Sequence, residues 1–360
     1  MNDFDDPISA RLRTYAGQVP TVAMKSAEEH QMPGQQTAGV VDKAAEKLSK
    51  LTGTEKLEGF SLKAFFSDVF SRHGEEAIEN FFTVGTPATT PPLSSVDTTW
   101  PRPWLFFRLF VASSVLYALF RLGIAQFHNS NLIPGLILTG VVAIPCSVLV
   151  LFVETNVRRN VSLYQVLKVF FLGGVVSLLV SLVMFEVTSV AKLDWMGASV
   201  AGLAEEPGKL AALLLVVRSA RFRYKLNGLL FGAAVGAGFA VFESMGYAFN
   251  SGSYDALVDN IFIRGVLSPF GHIVWTAICG AAIWRVKGAR PFAWSMLGDK
   301  RFLRLAAVSV ISHIIWNSPL ELPFYGKHLV IGLVCWVIVF SLIQEGLKEV
   351  RAEKSGLAKA

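Results

Sequence analysis

The chain has 360 residues, of which 52% are hydrophobic and only 17% charged, and its mean hydropathy is +0.48. Soluble domains carry about 25% charged residues, so the composition excludes an ordinary soluble domain, a disulfide scaffold and a disordered chain. The net charge of +6 is uneven: residues 1–100 hold 9 Lys and Arg against 14 Asp and Glu, and the rest holds 24 against 13. The basic residues lie between hydrophobic runs, which excludes a nucleic-acid-binding surface. These values predict a membrane protein.

The first 100 residues are predicted to form a polar, cytoplasmic N-terminal region. Its start at residues 1–6 is acidic, which predicts no signal peptide. Residues 1–58 have the composition of a mostly disordered tail. Apolar residues at roughly helical spacing over 60–82 predict a pair of amphipathic helices that lie on the membrane or on the main body. Residues 86–104 are rich in Pro and Thr and predict an extended linker.

Eight apolar stretches follow, each close to the ~20 residues that cross the ~30 Å hydrocarbon core of a bilayer. The fold class predicted from them is all-α: a polytopic membrane helix bundle of about eight transmembrane helices over residues 101–345. Residues 346–360 are predicted to be a cytoplasmic C-terminal tail. The stretches cover residues 104–125, 132–153, 163–188, 197–217, 227–249, 266–284, 303–319 and 328–344.

Basic residues mark only every second loop of this bundle. The loops after the second, fourth and sixth stretches are basic, whereas the loops between them are nearly neutral. The positive-inside rule therefore places the basic loops in the cytoplasm. With eight spans, both termini are then cytoplasmic in a multi-pass protein of the cell membrane.

The fourth stretch contains three charged residues, Glu205, Glu206 and Lys209. Each costs ~3 kcal/mol at the centre of a lipid-facing helix, so this helix is predicted to be covered by its neighbours. Lys209 lies three and four residues after the carboxylates and can pair with them. The simplest structural role is an ion pair that holds the helix in register. Pro207 and Gly208 predict a kink or opening beside the carboxylates.

Three later stretches add ionisable residues at a similar depth: Glu243, His272 and His313. With alternating helix directions and a rise of 1.5 Å per residue, Glu206 lies ~13 Å and the other three lie ~9 Å from the outer ends of their spans. Unrelated structural polar residues would have no reason to agree in height. The agreement predicts a single polar site in the outer half of the bundle.

The fifth stretch also carries Gly228, Gly232 and Gly236 at intervals of four residues. This spacing places the three glycines on one helix face and is typical of closely packed membrane helices. A packing role is therefore predicted for them, in preference to a phosphate-binding role.

The combined pattern resembles the PrsW family of intramembrane proteases over about residues 100–345. The related type II CAAX prenyl proteases differ, because they have an arginine four residues after the paired glutamates and a histidine in the second motif. The resemblance implies a membrane-embedded peptidase that acts on a membrane-anchored protein; the founding members cleave anti-sigma factors from the outer side. It rests on Glu205, Glu206, Lys209, Phe242, Glu243, Tyr247, His272 and His313.

Two hydrolytic schemes are compatible with these residues. In the first, His272, His313 and Glu243 hold a metal ion such as zinc, with Glu206 as the general base. In the second, no metal takes part: Glu206 activates water and one histidine stabilises the oxyanion. The absence of an HExxH pair favours the second scheme. If Glu205 mainly pairs with Lys209 and tunes its neighbour, replacing Glu205 is expected to affect proteolysis less than replacing Glu206.

Two other functions use the same residues. A proton- or cation-coupled transporter could use the buried carboxylates as a relay, with Pro207 and Gly208 in a broken helix; no inverted repeat is visible, which counts against it. A non-catalytic scaffold could grip a transmembrane helix of a partner. The full set of ionisable groups counts against the scaffold.

Overall fold

The computed structural model describes residues 34–356, with side chains from residue 43 onward. Within this range the chain is helical and contains no strand, which confirms the all-α fold class. The predicted disordered tail is not confirmed: residues 1–33, with the acidic start, lie outside the described residues, and a helix begins at Gly34. Residues 357–360 of the predicted C-terminal tail also lie outside them.

The described residues form thirteen α-helices. A π-helical segment, Leu138–Ala143, joins α5 to α6, so the second apolar stretch is one long, irregular helix. The helices are α1 (Gly34–Thr52), α2 (Leu62–Phe65), α3 (Glu75–Phe82), α4 (Leu105–Phe127), α5 (Ile133–Ile137), α6 (Ile144–Thr155), α7 (Leu163–Val190), α8 (Ala201–Val217), α9 (Lys225–Phe249), α10 (Tyr254–Val266), α11 (His272–Lys287), α12 (Lys300–Trp316) and α13 (Gly326–Lys354).

Five helical segments of the described chain are long and apolar enough to cross a membrane, and the bent pair of α10 and α11 would make a sixth. The five segments are residues 105–127, 130–155, 163–190, 225–249 and 323–354. The prediction of eight spans is therefore not confirmed. The helices α8 and α12 have 17 residues each, about 26 Å, which is shorter than a ~30 Å hydrocarbon core.

Hydrogen bonds between helix ends establish which ends lie together. Glu154, at the end of α6, accepts from the backbone N–H of Trp104 at 2.8 Å, just before α4. Asn160, just before α7, accepts from Asn227 at the start of α9 at 2.7 Å. Since α7 and α9 start at the same end of the bundle, α8 must run back through it between them.

The last helices follow the same alternation. Glu345 in α13 lies 3.4 Å from Lys225 at the start of α9 and 3.1 Å from Arg285 near the end of α11. At the opposite end, Lys327 at the start of α13 donates to the carbonyl of Ser318, just after α12. We call the end that holds residues 154–160, 218–227, 285–304 and 344–354 the basic end, because every loop predicted to be basic lies there.

Helix α9 is the centre of the bundle, and every residue from Leu226 to Val241 is buried. Its glycines lie directly against the backbone of α11. A Cβ on Gly228, Gly232 or Gly236 would lie 2.2–2.7 Å from a carbonyl oxygen of that helix. The predicted packing role of these three glycines is confirmed.

Replacing Gly232 with Val is expected to destabilise the protein by at least about 1–3 kcal/mol, the usual effect of overpacking a close contact. The reason is that the new Cβ would lie 2.2 Å from the carbonyl oxygen of Thr276, a backbone atom that cannot move away alone. Thermal unfolding in detergent measures the effect. Gly246→Val is the matched control, because Gly246 lies on the same helix with open space around it. Equal melting temperatures for the two variants would contradict the prediction.

Residues 53–104, which we call the N-terminal segment, pack on the main body at the basic end. The side chain of Phe65 is 1% exposed, and its ring lies 5.4 Å from that of Phe340 in α13. The backbone N–H of Glu58 donates to Gln344 at 2.6 Å. The predicted amphipathic pair corresponds to α2 and α3, which are only 4 and 8 residues long. The segment that contains them packs on the main body, one of the two positions predicted for the pair.

The predicted C-terminal tail begins as helix, because α13 continues to Lys354. Val350 is fully buried, and Lys354 donates to the carbonyl of Val96 in the N-terminal segment at 2.8 Å. The N-terminal segment therefore contacts the helical part of the predicted tail.

Candidate active site

The three charged residues of α8 point into the bundle: Glu205 and Glu206 are each 6% exposed and Lys209 is 1% exposed. The helix continues through Pro207 without a break. Two glycines allow close neighbours. A Cβ on Gly202 would clash with α12, and one on Gly208 would clash with α7. The charged turn of α8 is therefore enclosed by both helices.

His313 of α12 lies directly over the two carboxylates of α8. Its Nδ1 is 2.9 Å from Oε1 of Glu206, and its Nε2 is 3.6 Å from Oε2 of Glu205. An ionised carboxylate can only accept, so Nδ1 carries the proton and Nε2 has a free lone pair. That lone pair faces Oε2 of Glu205, a buried atom without a hydrogen-bond partner among the described residues.

Lys209 connects the glutamates to the second histidine. Its Nζ is 2.7 Å from Oε1 of Glu206, 2.8 Å from Nδ1 of His272 and 3.6 Å from Oε2 of Glu205. The ammonium group also lies 4.3 Å from the centre of the Phe239 ring, a cation–π contact. One buried cation thus balances two buried carboxylates in part and leaves a net negative charge on α8.

Glu243 closes the other side of the cluster. Its Oε2 lies 3.1 Å from Nε2 of His272 and 3.0 Å from Nη1 of Arg264. The Arg264 guanidinium stacks on the ring of Tyr247 at 3.6 Å. Glu243 is therefore held by two neighbours, and its second oxygen makes no hydrogen bond to the described residues.

A cavity of about 400 Å³ opens beside this cluster. It lies away from the basic end, because its wall includes Gly197 before α8, Gly271 before α11 and Asn317 after α12. Of the predicted site residues, those that line it are Glu205, Glu243, His272 and His313, together with Tyr247.

All six predicted site residues meet in one cluster, as the agreement in depth implied, but one detail differs from expectation. Glu205 lines the cavity, whereas Glu206 does not. Lys209 contacts Glu206 at 2.7 Å and Glu205 only at 3.6 Å. Lys209 therefore pairs with both glutamates, and Glu206 is the closer partner. The i, i+3 partner is closer than the i, i+4 partner because His313 draws Glu206 to the same point.

The possible ligand set also differs from the expected one. The ligand atoms of Glu205, His272 and His313 all lie within 4.8 Å of one another, and Glu243 is not in this group. Glu243 instead bonds to Arg264, which lies between two of the predicted apolar stretches. The apolar spacing of Leu257, Val258 and Ile261, which are buried in α10, is the signal that would have identified this helix.

Asn317, the polar residue that the sequence pairs with His313, also lines the cavity. It follows His313 by four residues, which is the spacing that places two side chains on one helix face. That spacing was available in the sequence as a signal for a shared site.

The donor set suits a catalytic metal ion: two imidazoles and one carboxylate, with the cavity side open, as in three-ligand zinc sites. His313 is ready to ligate, since Glu206 holds its other nitrogen, an arrangement that fixes the tautomer of metal-binding histidines. The unpartnered Oε2 of Glu205 fits a cation at the same point. His272 contacts Lys209 and Glu243, so its ligation would displace one of these contacts.

A multi-pass helical bundle with buried carboxylates and histidines beside a cavity has the features of a membrane-embedded hydrolase. Residues 161–343, about half of the chain, match the family described as PrsW family intramembrane metalloprotease, and the chain belongs to that family. It is 25% identical over 187 residues to Protease PrsW of Clostridioides difficile strain 630, which covers 49% of this chain and 75% of that protein. No solved structure gives a significant match.

Membership of the PrsW family makes the chain an intramembrane peptidase and a multi-pass membrane protein. It decides for the peptidase over the transporter and the scaffold. The family description as a metalloprotease also favours the metal-dependent scheme over the metal-free one that the absence of an HExxH pair had favoured.

Proposed function

We propose that this peptidase cleaves a protein anchored by a single membrane-spanning helix, the class to which membrane-anchored anti-sigma factors belong. The cavity supports this proposal. It has an apolar wall, which includes Val200, Ile263 and Leu267, and a polar wall formed by the site residues. The apolar wall suits a segment that leaves the bilayer, and the polar wall suits the peptide bond to be hydrolysed.

The proposed metal ligands are Glu205, His272 and His313, and zinc is the proposed metal. The observation that carries this proposal is Oε2 of Glu205, a buried acceptor with no hydrogen-bond partner among the described residues. It lies 3.6 Å from a second acceptor, Nε2 of His313, and 3.6 Å from the Lys209 ammonium, which is too far for a hydrogen bond. Two facing acceptors are repulsive unless a cation or a proton lies between them. When bound, zinc supplies an activated water and polarises the scissile carbonyl.

Glu243 is the proposed proton acceptor in place of Glu206. It lines the cavity, and Arg264 and His272 hold its Oε2, which leaves Oε1 to receive a proton from water. Glu206 has a positioning role: it accepts from both Lys209 and His313 and orients the imidazole. A carboxylate that is held in place and still accessible is the group that general-base chemistry requires.

Removal of the metal tests the proposed ligand set. We expect a chelator to abolish cleavage of a single-span substrate by the purified protein in detergent, and stoichiometric zinc to restore it. Metal analysis should find about one ion per chain before chelation. A chelated protein without measurable metal that keeps full activity would contradict the metal proposal and return the site to the metal-free scheme.

We propose that the chain lies in the cell membrane with both termini in the cytoplasm. Two observations support this topology. Successive helices alternate in direction, so α8 and α12 each run from one end of the bundle to the other. The basic loops all lie at the basic end, which the positive-inside rule places in the cytoplasm. The cavity at the other end then faces outward. The N-terminal segment and the end of α13 both lie at the basic end.

Cysteine labelling tests this topology. A membrane-impermeant reagent is expected to label Gly252→Cys in intact cells and to label Gly298→Cys only after permeabilisation. Both glycines are exposed, with open space around them. The three native cysteines should first be replaced, since Cys146 is only partly buried. The reverse labelling pattern would invert the proposed orientation.

A further inference from the structure

We propose that the basic end contains a binding pocket for a phosphate group. A cavity of about 480 Å³ lies between the loops after α6 and α8 and the proline-rich part of the N-terminal segment. Three of its lining side chains are arginines: Arg158, Arg221 and Arg223. This phosphate pocket lies at the other end of the bundle from the candidate active site and shares no residue with it.

The charge of the phosphate pocket is strongly positive. No Asp or Glu is among the described residues that line it. Glu353 pairs with Arg223 from outside the lining, which leaves two arginines without a carboxylate partner among the described side chains. Arginine is well suited to phosphate because its planar fork of donors matches two phosphate oxygens at once.

The arginines retain donors for a ligand. A guanidinium has five N–H donors. Arg158 gives one to the carbonyl of Pro91 at 2.5 Å, and its Nε is buried with no hydrogen-bond partner in the described chain. Arg221 donates through a single nitrogen, Nη2, to the carbonyls of Gly85 and Asn160. An unpaired buried donor next to a cavity is a direct reason for an anionic ligand to bind there.

In the proposed topology, on which this step rests, the phosphate pocket lies at the level of the lipid headgroups. It is formed where α6 and α8 end and α7 and α9 begin. Near those helix ends Leu163, Tyr164 and Leu215 are exposed. Basic pockets between helix ends bind anionic headgroups in membrane proteins. The shared chemistry is a phosphate ester or phosphate ion, and its source is either an anionic phospholipid or a soluble phosphate.

Binding would link the bundle to the N-terminal segment. One wall of the phosphate pocket is made of Pro87, Thr90, Pro91 and Pro92, which lie outside the residues matched by the PrsW family. A phosphate that neutralises the arginines would therefore hold this part of the segment against the loops after α6 and α8.

The test compares the full wild-type chain with three variants in lipid nanodiscs. Native mass spectrometry measures lipid retention, and thermal unfolding measures stability. Ala220→Glu is the main variant, because Ala220 is an exposed lining residue and the substitution adds a negative charge without removing an arginine. Arg158→Gln is the second variant. Arg218→Gln is the matched control: it makes the same change of −1 in net charge in the same loop, outside the lining.

We expect the wild type and the control to retain phosphatidylglycerol. We expect Ala220→Glu to retain it at least about tenfold more weakly, which corresponds to a loss of about 1.4 kcal/mol in binding free energy. A second arm uses phosphatidylcholine nanodiscs with millimolar inorganic phosphate. Stabilisation in that arm, lost in Ala220→Glu, would identify a soluble phosphate as the source. Equal retention and equal stabilisation of folded Ala220→Glu and wild type in both arms would overturn the proposal.

Discussion

Replacing Glu205 with Gln is expected to lower kcat/KM for a single-span substrate by more than about 10³-fold, the size of loss that follows removal of an essential catalytic group. In the proposed site Glu205 is the only carboxylate ligand, and a neutral amide binds zinc poorly. The fold should remain intact, because the Gln amide can donate to Nε2 of His313 at the point where two acceptors now face each other. Activity, metal content and thermal unfolding measure the three parts of this expectation.

Two matched variants make this prediction specific. Glu186→Gln changes an exposed glutamate of α7 that does not line the cavity, and it should keep wild-type activity. Glu206→Gln should reduce both stability and activity, because it removes the nearest carboxylate of Lys209. If Glu205→Gln kept full activity and metal content, Glu205 would be structural and the proposed ligand set would be wrong.

That the site residues lie close together could be predicted from sequence, because loop charge and depth along a helix can both be read from residue positions in the chain. Basic loops set the direction of each helix, and the rise per residue then gives the height of Glu243, His272 and His313. The three glycines of α9 were predictable for the same reason, since their spacing of four residues describes a single helix face. Height along the bundle, and the set of residues that share one helix face, therefore follow from the local sequence.

The partners of each carboxylate could not be predicted in this way. Glu205 and Glu206 are adjacent, and which of them faces the cavity depends on the rotation of α8 relative to α12. That rotation is set by Gly202, where α12 comes close enough that a Cβ would lie 2.6 Å from Ile314. Arg264 was missed for a related reason: α10 is short, and its role depends on contact with α9.

The N-terminal segment shows the same limit at the basic end. Residues 86–104 of this segment are rich in Pro and Thr and indicated an extended linker. Its order depends on distant partners: Gln344 accepts from Glu58, and Arg351 donates to the carbonyl of Thr98. Contacts across more than 250 residues leave no periodic signal in the segment itself.

Replacing Lys209 with Met is expected to destabilise the protein by about 3–5 kcal/mol, the usual consequence of removing one partner of a buried ion pair. Lys209 is 1% exposed and lies 2.7 Å from Glu206 and 2.8 Å from His272. Its loss leaves two buried carboxylates without their nearest cation. Abundance in membranes and unfolding in detergent should both fall. Lys168→Met, which changes an exposed lysine on α7, is the control and should have little effect.

A second variant separates the loss of charge balance from the loss of packing. In Glu206→Gln with Lys209→Met, one buried carboxylate is neutralised together with the cation, so the net buried charge is the same as in the wild type. We expect this double variant to regain much of the stability lost by Lys209→Met, which a double-mutant cycle would measure as a coupling of 0.5–3 kcal/mol, about the range for contacting residues. Proteolysis should stay low in the double variant, since His272 loses the donor at its Nδ1. Additive effects on stability would contradict a paired role for Glu206 and Lys209 and would make the lysine a packing residue.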